Sequence, residues 1–232
     1  MKKIYPLIAF LVLLCSLPTA ILAQDVTLSN DLYGLSPVLY NGKYYTYSPP
    51  VNTKGNQFIV DRHFTEGSVR VKGNLYDSLS LNYDIFNQQL ILEFYTVEKN
   101  RLLISLSNAW LDSFTLGKKH FKALRVNGEK KEYYQVFGEG PFKILYFWHK
   151  NMNFVSSTGS SYYVFSKPYK TTLLLEGNNA KAFKSNSQFI RLFDKKNRAA
   201  VAKFLRQHQI NIKRASDKEI QELMNFCNTL SR

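Results

Sequence analysis

The chain has 232 residues, of which 45% are hydrophobic, and it carries 31 Lys or Arg against 17 Asp or Glu. Disordered, collagen-like and disulfide-stapled proteins are excluded, because the chain has enough apolar residues for a core and only two cysteines. The composition predicts a globular, basic protein.

Residues 1–23 have the pattern of a signal peptide. Two lysines are followed by an apolar run from Ile4 to Leu17, which is too short to span a bilayer. We expect cleavage after Ala23, with Ala20 as the alternative. The pattern predicts export, with the mature protein in the periplasm or peripheral to the outer membrane.

Residues 24–184 form the predicted β-rich domain. After a lead-in to about residue 50, hydrophobic and polar residues alternate, as in half-buried antiparallel strands. The runs 79–85 and 90–94 predict a hairpin with its turn at Asn87 and Gln88. Six further turn motifs divide the region into about eight to ten strands. They are Gly73-Asn74, Glu98-Lys99-Asn100, Asn127-Gly128, Gly138 to Gly140, Thr158-Gly159 and Gly177-Asn178-Asn179.

Residues 185–232 change to a helical period and form a predicted basic helical tail packed on the sheet. A short helix is expected from Ser187 to Phe193. The next has an apolar stripe of Val201, Phe204, Leu205 and His208, expected to dock on the sheet with the basic residues pointing outward. Ser216 and Glu219 form a capping box that begins the last helix.

The predicted fold class is therefore α+β. We expect a mainly antiparallel β meander, as a curved sheet, sandwich or partial barrel, followed by a C-terminal helical tail. An integral outer-membrane barrel is the alternative, which the helical C-terminus disfavours.

Cys227 is the only cysteine left after signal cleavage, so the mature chain forms no internal disulfide and depends on packing for its stability. It falls on the apolar face of the last predicted helix, with Ile220, Leu223, Met224 and Leu230. This spacing favours a buried hydrophobic cysteine over a reactive thiol.

The tail also holds the charge excess, since residues 181–232 contain 12 basic and four acidic residues. We expect the binding residues to be Lys195, Lys196, Arg198, Lys203 and Arg206. An exported basic surface favours an envelope protein or an anionic surface, either lipid headgroup or glycan, and no nucleic acid. A solvated face that only keeps the protein soluble is the alternative.

Catalytic motifs are missing from the sequence. The four histidines lack metal-ligand spacing, and no Gly-rich phosphate loop is present, so we expect neither a metal nor a cofactor. Asp61 and His63 lack a nucleophile beside them. Asp84 and Glu93, on opposite strands of the predicted hairpin, are the one carboxylate pair that pairing could bring together. We therefore expect a non-catalytic protein, with an unrecognised hydrolase as the alternative.

Aromatic residues concentrate between residues 133 and 165, and a Tyr-rich stretch precedes them at residues 40–47. Packing within the sheet is the ordinary explanation. A stacking platform for a sugar or peptide is the functional one.

Three segments carry a resemblance to a known group of proteins. They are Gly67-Ser-Val-Arg-Val-Lys-Gly73, Leu81-Asn-Tyr-Asp-Ile-Phe86, and a tail from Phe193-Asp-Lys-Lys to Phe204-Leu-Arg-Gln-His-Gln-Ile-Asn-Ile-Lys213. With the signal peptide, they resemble uncharacterised exported β-rich proteins of Bacteroidota that have a basic C-terminal helical tail. The resemblance implies export and this fold, and no functional residues.

The leading functional hypothesis is a non-catalytic binding or scaffold protein of the bacterial cell envelope. The alternative is a glycan or small-molecule binder, or an unrecognised hydrolase, using a Tyr-rich mouth of the sheet.

Overall fold

A computed structural model describes residue 39, residues 43–96 and residues 98–230. The predicted signal peptide and most of the lead-in lie outside these residues. Among the described residues, no helix is long and apolar enough to cross a membrane.

The described chain consists of fourteen strands followed by three helices. The strands are β1 (Lys43–Tyr44), β2 (Thr53–Lys54), β3 (Thr65–Val71), β4 (Asn74–Asp84), β5 (Gln89–Tyr95), β6 (Arg101–Ser105), β7 (Leu111–Leu116), β8 (Lys119–Arg125), β9 (Lys131–Phe137), β10 (Phe142–His149), β11 (Met152–Ser157), β12 (Ser160–Phe165), β13 (Tyr169–Glu176) and β14 (Asn179–Ala182). The helices are α1 (Asn186–Arg191), α2 (Lys195–Gln207) and α3 (Asp217–Thr229).

Eleven strands form one open sheet in the order β1-β6-β5-β4-β3-β7-β8-β9-β10-β13-β14, in which every pair is antiparallel. The sheet contains two meanders, β3 to β6 and β7 to β10, which join where β7 pairs with β3. A small second sheet has the order β11-β12-β2. The predicted α+β class, with a β meander before C-terminal helices, is confirmed.

The predicted hairpin is formed by β4 and β5, with Asp84 opposite Gln89. The Asp84 carboxylate accepts hydrogen bonds from the backbone N–H groups of Phe86 and Asn87, which fixes the turn. Gln88 has a positive φ of 55°. An Asx turn of this kind explains why the chain reverses here without glycine.

Close approach of two strands explains why residue 67, in the segment Gly67–Gly73, is a glycine. A Cβ at Gly67 on β3 would overlap the backbone carbonyl oxygen of Thr115 on β7. The β3–β4 register shifts between Gly67 and Val69. The absence of a side chain at residue 67 therefore permits the junction between the two meanders.

Two large hydrophobic clusters hold the molecule together. The first is formed by strands β3 to β9, and in it the rings of Phe114 and Phe121 stack at 4.6 Å. The second lies between the sheet and the three helices. It contains Ile144 and Tyr146 from β10 together with Phe189 from α1, and all three are fully buried. The helices are therefore part of the core, and burial of each such side chain contributes about 1.5 to 3 kcal/mol.

The helices begin close to the predicted positions. Ser185 caps α1 by accepting from the Gln188 N–H, and Ser216 with Glu219 forms the predicted capping box of α3. Asp194 precedes α2, but its side chain makes no capping hydrogen bond. Backbone N–H groups of the first turn bond to its carbonyl oxygen instead.

Candidate functional site

Four of the five predicted binding residues form one continuous charged surface. Lys195, Lys196, Lys203 and Arg206 are all exposed. At 3.6 residues per turn they fall within an arc of about 100° on α2. None of them forms an ion pair with a described residue. We call these four residues the α2 basic face.

Arg198, the fifth predicted binding residue, has a different position. Its Nε donates to the carbonyl oxygen of Phe193 and its Nη2 to that of Arg191, both at 2.9 Å. The guanidinium thus satisfies carbonyls at the end of α1 and fixes the turn into α2. Two of its N–H groups are therefore engaged within the fold, so Arg198 is not counted in the α2 basic face, and its part in binding stays a prediction.

The opposite side of α2 holds the helix in place. Val201 and Leu205 are buried against the second hydrophobic cluster. The predicted stripe is only partly correct, since His208 is exposed and Phe204 is half-buried. The Phe204 ring stacks on Phe226 of α3 at 4.2 Å, so it packs between helices and not on the sheet.

A pocket of about 450 Å³ opens where β14 ends and the segment before α3 passes β13. Three lysines from separate parts of the chain line it, namely Lys170, Lys184 and Lys213. The remaining lining residues are His149, Tyr169, Thr171, Thr172, Ala182, Phe183 and Ile212, with no carboxylate among them. We call it the lysine pocket.

Strand lengths explain the opening. β14 pairs with β13 only from Leu173 onward, so residues 169–172 of β13 have no described strand beside them on that edge. Ile212, in the connection from α2 to α3, is buried. Asn186 holds this connection by donating to the Ile210 carbonyl oxygen and accepting from the Ile212 N–H.

Lys170 is the least exposed of the three pocket lysines and points to the helix side of the sheet with Leu174. Its Nζ lies 3.5 Å from the ring centroid of Tyr146 and 5.3 Å from that of Trp148. Burial lowers the pKa of Lys170 to about 8, with nearby Lys119 acting in the same direction and Asp217 opposing it. The ammonium makes no hydrogen bond or ion pair with a described residue.

A series of side-chain hydrogen bonds beside Lys170 connects the helical tail to the sheet. Asp217, the first residue of α3, accepts from Lys119 Nζ at 2.7 Å and from Gln135 Nε2 at 2.8 Å. The Gln135 Oε1 in turn accepts from Trp148 Nε1 at 2.8 Å. Because Asp217 is already paired with Lys119, it is not a dedicated counter-ion for Lys170.

A second pocket, of about 540 Å³, lies beside β1 at the end of the β4–β5 hairpin. Tyr44 and Tyr47 line it together with Lys43, Thr46, Asn87, Gln89, Ser105, Leu106, Ser107 and Asn108. The Tyr47 hydroxyl is buried and makes no hydrogen bond to a described residue. Burial raises the pKa of Tyr47, and the negative charge of Asp84 adds to the shift. We call this the tyrosine pocket.

The candidate catalytic pairs do not assemble into sites. Asp84 lies opposite Gln89, whereas Glu93 lies opposite Ser80, so the two carboxylates are four residues apart along the hairpin. Asp84 accepts from the Tyr45 hydroxyl at 2.7 Å, and Glu93 pairs with Arg101. Each carboxylate is engaged in a structural contact.

Asp61 and His63 form an exposed loop pair. The His63 backbone N–H donates to Asp61 Oδ1, and His63 Nδ1 lies 2.8 Å from the same oxygen. The backbone hydrogen bond from His63 is the main cause of a lowered pKa at Asp61. This is a turn and not the shared strand face that a catalytic pair on a strand needs.

Cys227 lies where the spacing predicts, on the buried face of α3. Burial raises the pKa of its thiol to about 12, so the thiolate is strongly disfavoured. Within the described ranges, no group of three His, Cys, Asp or Glu residues could hold a metal ion.

No protein-family model, curated protein or solved structure matches this chain. The α2 basic face and the two pockets are therefore the candidate functional sites of the described chain.

Proposed function

We propose that this chain is a non-catalytic binding protein of the bacterial cell envelope, exported by its N-terminal segment, and that the α2 basic face holds it to a surface of anionic headgroups. The observation that supports this most is the exposed, unpaired state of four cations on one side of a firmly docked helix. An acidic envelope protein is the alternative partner.

Local energetics give the lysines of the α2 basic face no role in stabilising the fold. Lys195 and Lys196 lie in the first turn of α2, which has no acidic residue. Cations at a helix N-terminus oppose the helix dipole, at a cost of about 0.3 to 1 kcal/mol each at low salt. Lys203 lies on the same face and adds to the mutual repulsion. Arg206 differs, because it lies in the last turn, where a positive charge is favourable, and its Nε donates to the Ala202 carbonyl oxygen. Attraction to an anionic partner is a physical reason for retaining the lysines.

Charge reversal tests the proposal. The variant Lys195→Glu/Lys196→Glu/Lys203→Glu should lose most of its binding to phosphatidylglycerol-containing vesicles at low ionic strength. Its melting temperature should be unchanged or slightly raised, because glutamates favour the first turn. Cosedimentation and thermal melting measure the two quantities.

The matched control is Lys118→Glu/Lys122→Glu/Arg125→Glu, which makes the same charge change at exposed positions around β8. It should keep more binding than the α2 variant. Equal loss in both would show that only net charge matters and would refute the α2 basic face. If the parent protein does not bind anionic vesicles, lipid headgroups are rejected as the partner and an acidic protein takes their place.

Export has its own test. The mature protein, isolated from the envelope of its native cells, should begin at Gln24, or after Ala20 if the alternative site is used. Recovery of the intact N-terminus from the cytoplasmic fraction would reject the envelope location.

A second candidate function is neutral glycan binding at the tyrosine pocket. Aromatic rings stack on sugar faces, and amide and hydroxyl side chains bond to sugar hydroxyls. The pocket offers both, with Tyr44 and Tyr47 beside the amides of Asn87, Gln89 and Asn108. Its described lining contains no carboxylate, which favours binding over hydrolysis.

Chitotriose and maltotriose can serve as probes in calorimetric titrations. Tyr44→Ala should weaken binding of whichever sugar the parent protein holds. Tyr95→Ala is the matched control, because Tyr44 and Tyr95 are both 54% exposed and Tyr95 is not a pocket residue. Equal affinity in the two variants would exclude the tyrosine pocket as the sugar site.

A further inference from the structure

The lysine pocket concentrates positive charge without a counter-charge of its own. Lys170 comes from β13, Lys184 follows β14, and Lys213 precedes α3, so three separate segments bring the lysines to one opening. None of the three forms an ion pair with a described residue. Convergence of like charges at a concave site increases the local concentration of anions.

Lys170 has donors available for a ligand. An ammonium group has three N–H donors, and that of Lys170 uses none of them on a described residue. Its contacts are with the faces of Tyr146 and Trp148, which hold the charge by cation–π attraction. An anion that reached this ammonium would supply the hydrogen-bond acceptor that the fold does not.

The rest of the lining determines what else the ligand contains. Ala182 is exposed on one side, where Phe183 and Ile212, which are 2% and 3% exposed, form the base of the pocket. The rings of His149 and Tyr169 contact each other at the same opening, with centroids 4.0 Å apart and planes tilted by 40°. Thr171 and Thr172 add hydroxyl groups. A ligand that fits this lining has an apolar or aromatic body as well as a charge.

We propose that the lysine pocket binds a small organic anion, in which one phosphate or carboxylate group contacts Lys170 and Lys213 and an apolar body packs against the exposed Ala182 and the ring of Tyr169. This site is separate from the α2 basic face and does not depend on it. It adds a soluble ligand to a protein whose other surface is proposed to hold it to the envelope.

Phenyl phosphate is a suitable probe, because it joins a phosphate to one aromatic ring. The parent protein should bind it, and Lys170→Met/Lys213→Met should lower the affinity about tenfold. Methionine keeps an unbranched apolar side chain of similar length, so packing beside Tyr146 is maintained. Lys118→Met/Lys122→Met, which removes two exposed charges elsewhere, should bind like the parent.

Amide chemical shifts locate the probe. Phenyl phosphate should perturb Thr171, Thr172 and Lys213 in the parent protein, and the spectrum of the double variant should show that it is folded. Inorganic phosphate and phenol should each bind more weakly than phenyl phosphate, since each has only one half of the ligand chemistry.

Three results would overturn the proposal: no binding to the parent, equal binding to the double variant, or shifts confined to the tyrosine pocket or α2. The two proposals fail separately. The lysine-pocket variant should still bind anionic vesicles, and the α2 charge-reversal variant should still bind phenyl phosphate.

Discussion

Gly67 shows how a single residue determines the join between the two meanders. Its Cα lies so close to β7 that a methyl group would overlap the Thr115 carbonyl oxygen, which belongs to the backbone and cannot rotate away. Gly67→Ala should therefore destabilise the protein by about 2 to 3 kcal/mol. Urea denaturation measures this, with exposed Glu66→Ala as a control expected within about 0.5 kcal/mol of the parent. A stable Gly67→Ala variant would contradict the close contact.

Lys170 predicts a pH dependence of folding stability. Its folded pKa of about 8 lies below its ordinary value of 10.5, mainly because of burial. Asp217 of α3 raises this pKa and Lys119 of β8 lowers it. Between these two values the unfolded chain binds more protons, so stability from this group rises with pH over that window. Lys184 and Lys213 also line the pocket.

Comparison of the parent with Lys170→Met isolates this effect, because the tyrosines that titrate above pH 10 are common to both. The variant should be the more stable at pH 7, by on the order of 1 kcal/mol after allowance for solvent screening. The difference should shrink as the pH rises towards 10. A difference that stays constant from pH 7 to 10 would mean that the Lys170 ammonium is not desolvated.

Some residues could be recognised from sequence and others could not. Cys227 and the α2 lysines follow from helical spacing alone. The sequence indicates the inward position of Lys170 more weakly, because Lys170 shares one face of its strand with Thr172 and Leu174. No sequence pattern places Lys184 and Lys213 beside Lys170, because these three residues are far apart in the chain and only the tertiary fold brings them together.

At the scale of single elements, the packing of α2 changes the expected cost of one mutation. Full burial of Phe204 on the sheet would make Phe204→Ala cost about 3 to 5 kcal/mol. The ring is instead half-buried between α2 and α3. We therefore expect about 1 to 2 kcal/mol, since only part of the apolar surface is lost.

Phe189 provides the comparison. It lies on α1, is fully buried, and packs against Phe183 and Phe193. Phe189→Ala should cost about 3 to 5 kcal/mol. Denaturant unfolding of both variants gives the order, and a larger loss at Phe204 than at Phe189 would contradict the described packing.

The structure has more strands than the sequence predicted. Twelve strands lie between Thr65 and Ala182, more than the eight to ten expected. All six predicted turn motifs do separate strands. Four reversals were missed, at residues 106–110, 117–118, 150–151 and 166–168, and only 117–118 contains a glycine, Gly117. Hydrogen bonds such as Ser166 N–H to the Asn151 carbonyl oxygen stabilise the chain near two of them. Long-range contacts of that kind leave no local pattern.

At the scale of the whole molecule, the sheet and the helical tail share a hydrophobic cluster while they present different chemistry to solvent. The tail carries the α2 basic face, the junction between tail and sheet forms the lysine pocket, and the far end of the sheet forms the tyrosine pocket. Sequence patterning predicted the charge of the tail, but the two pockets depend on how strands of unequal length end beside one another.

Crosslinking tests directly whether the α2 basic face contacts the envelope, as we propose. Ala199 is exposed and lies within the arc of that face, so a photoreactive amino acid placed there keeps every charge in position. Ser160, exposed on the β11–β12 hairpin, is the control position. In native envelopes at low salt, the probe at residue 199 should crosslink to membrane components, and added salt should abolish the product because the attraction is screened. The probe at residue 160 should give little product. Equal crosslinking from both positions, or none from residue 199, would show that the α2 basic face is not the surface that contacts the envelope.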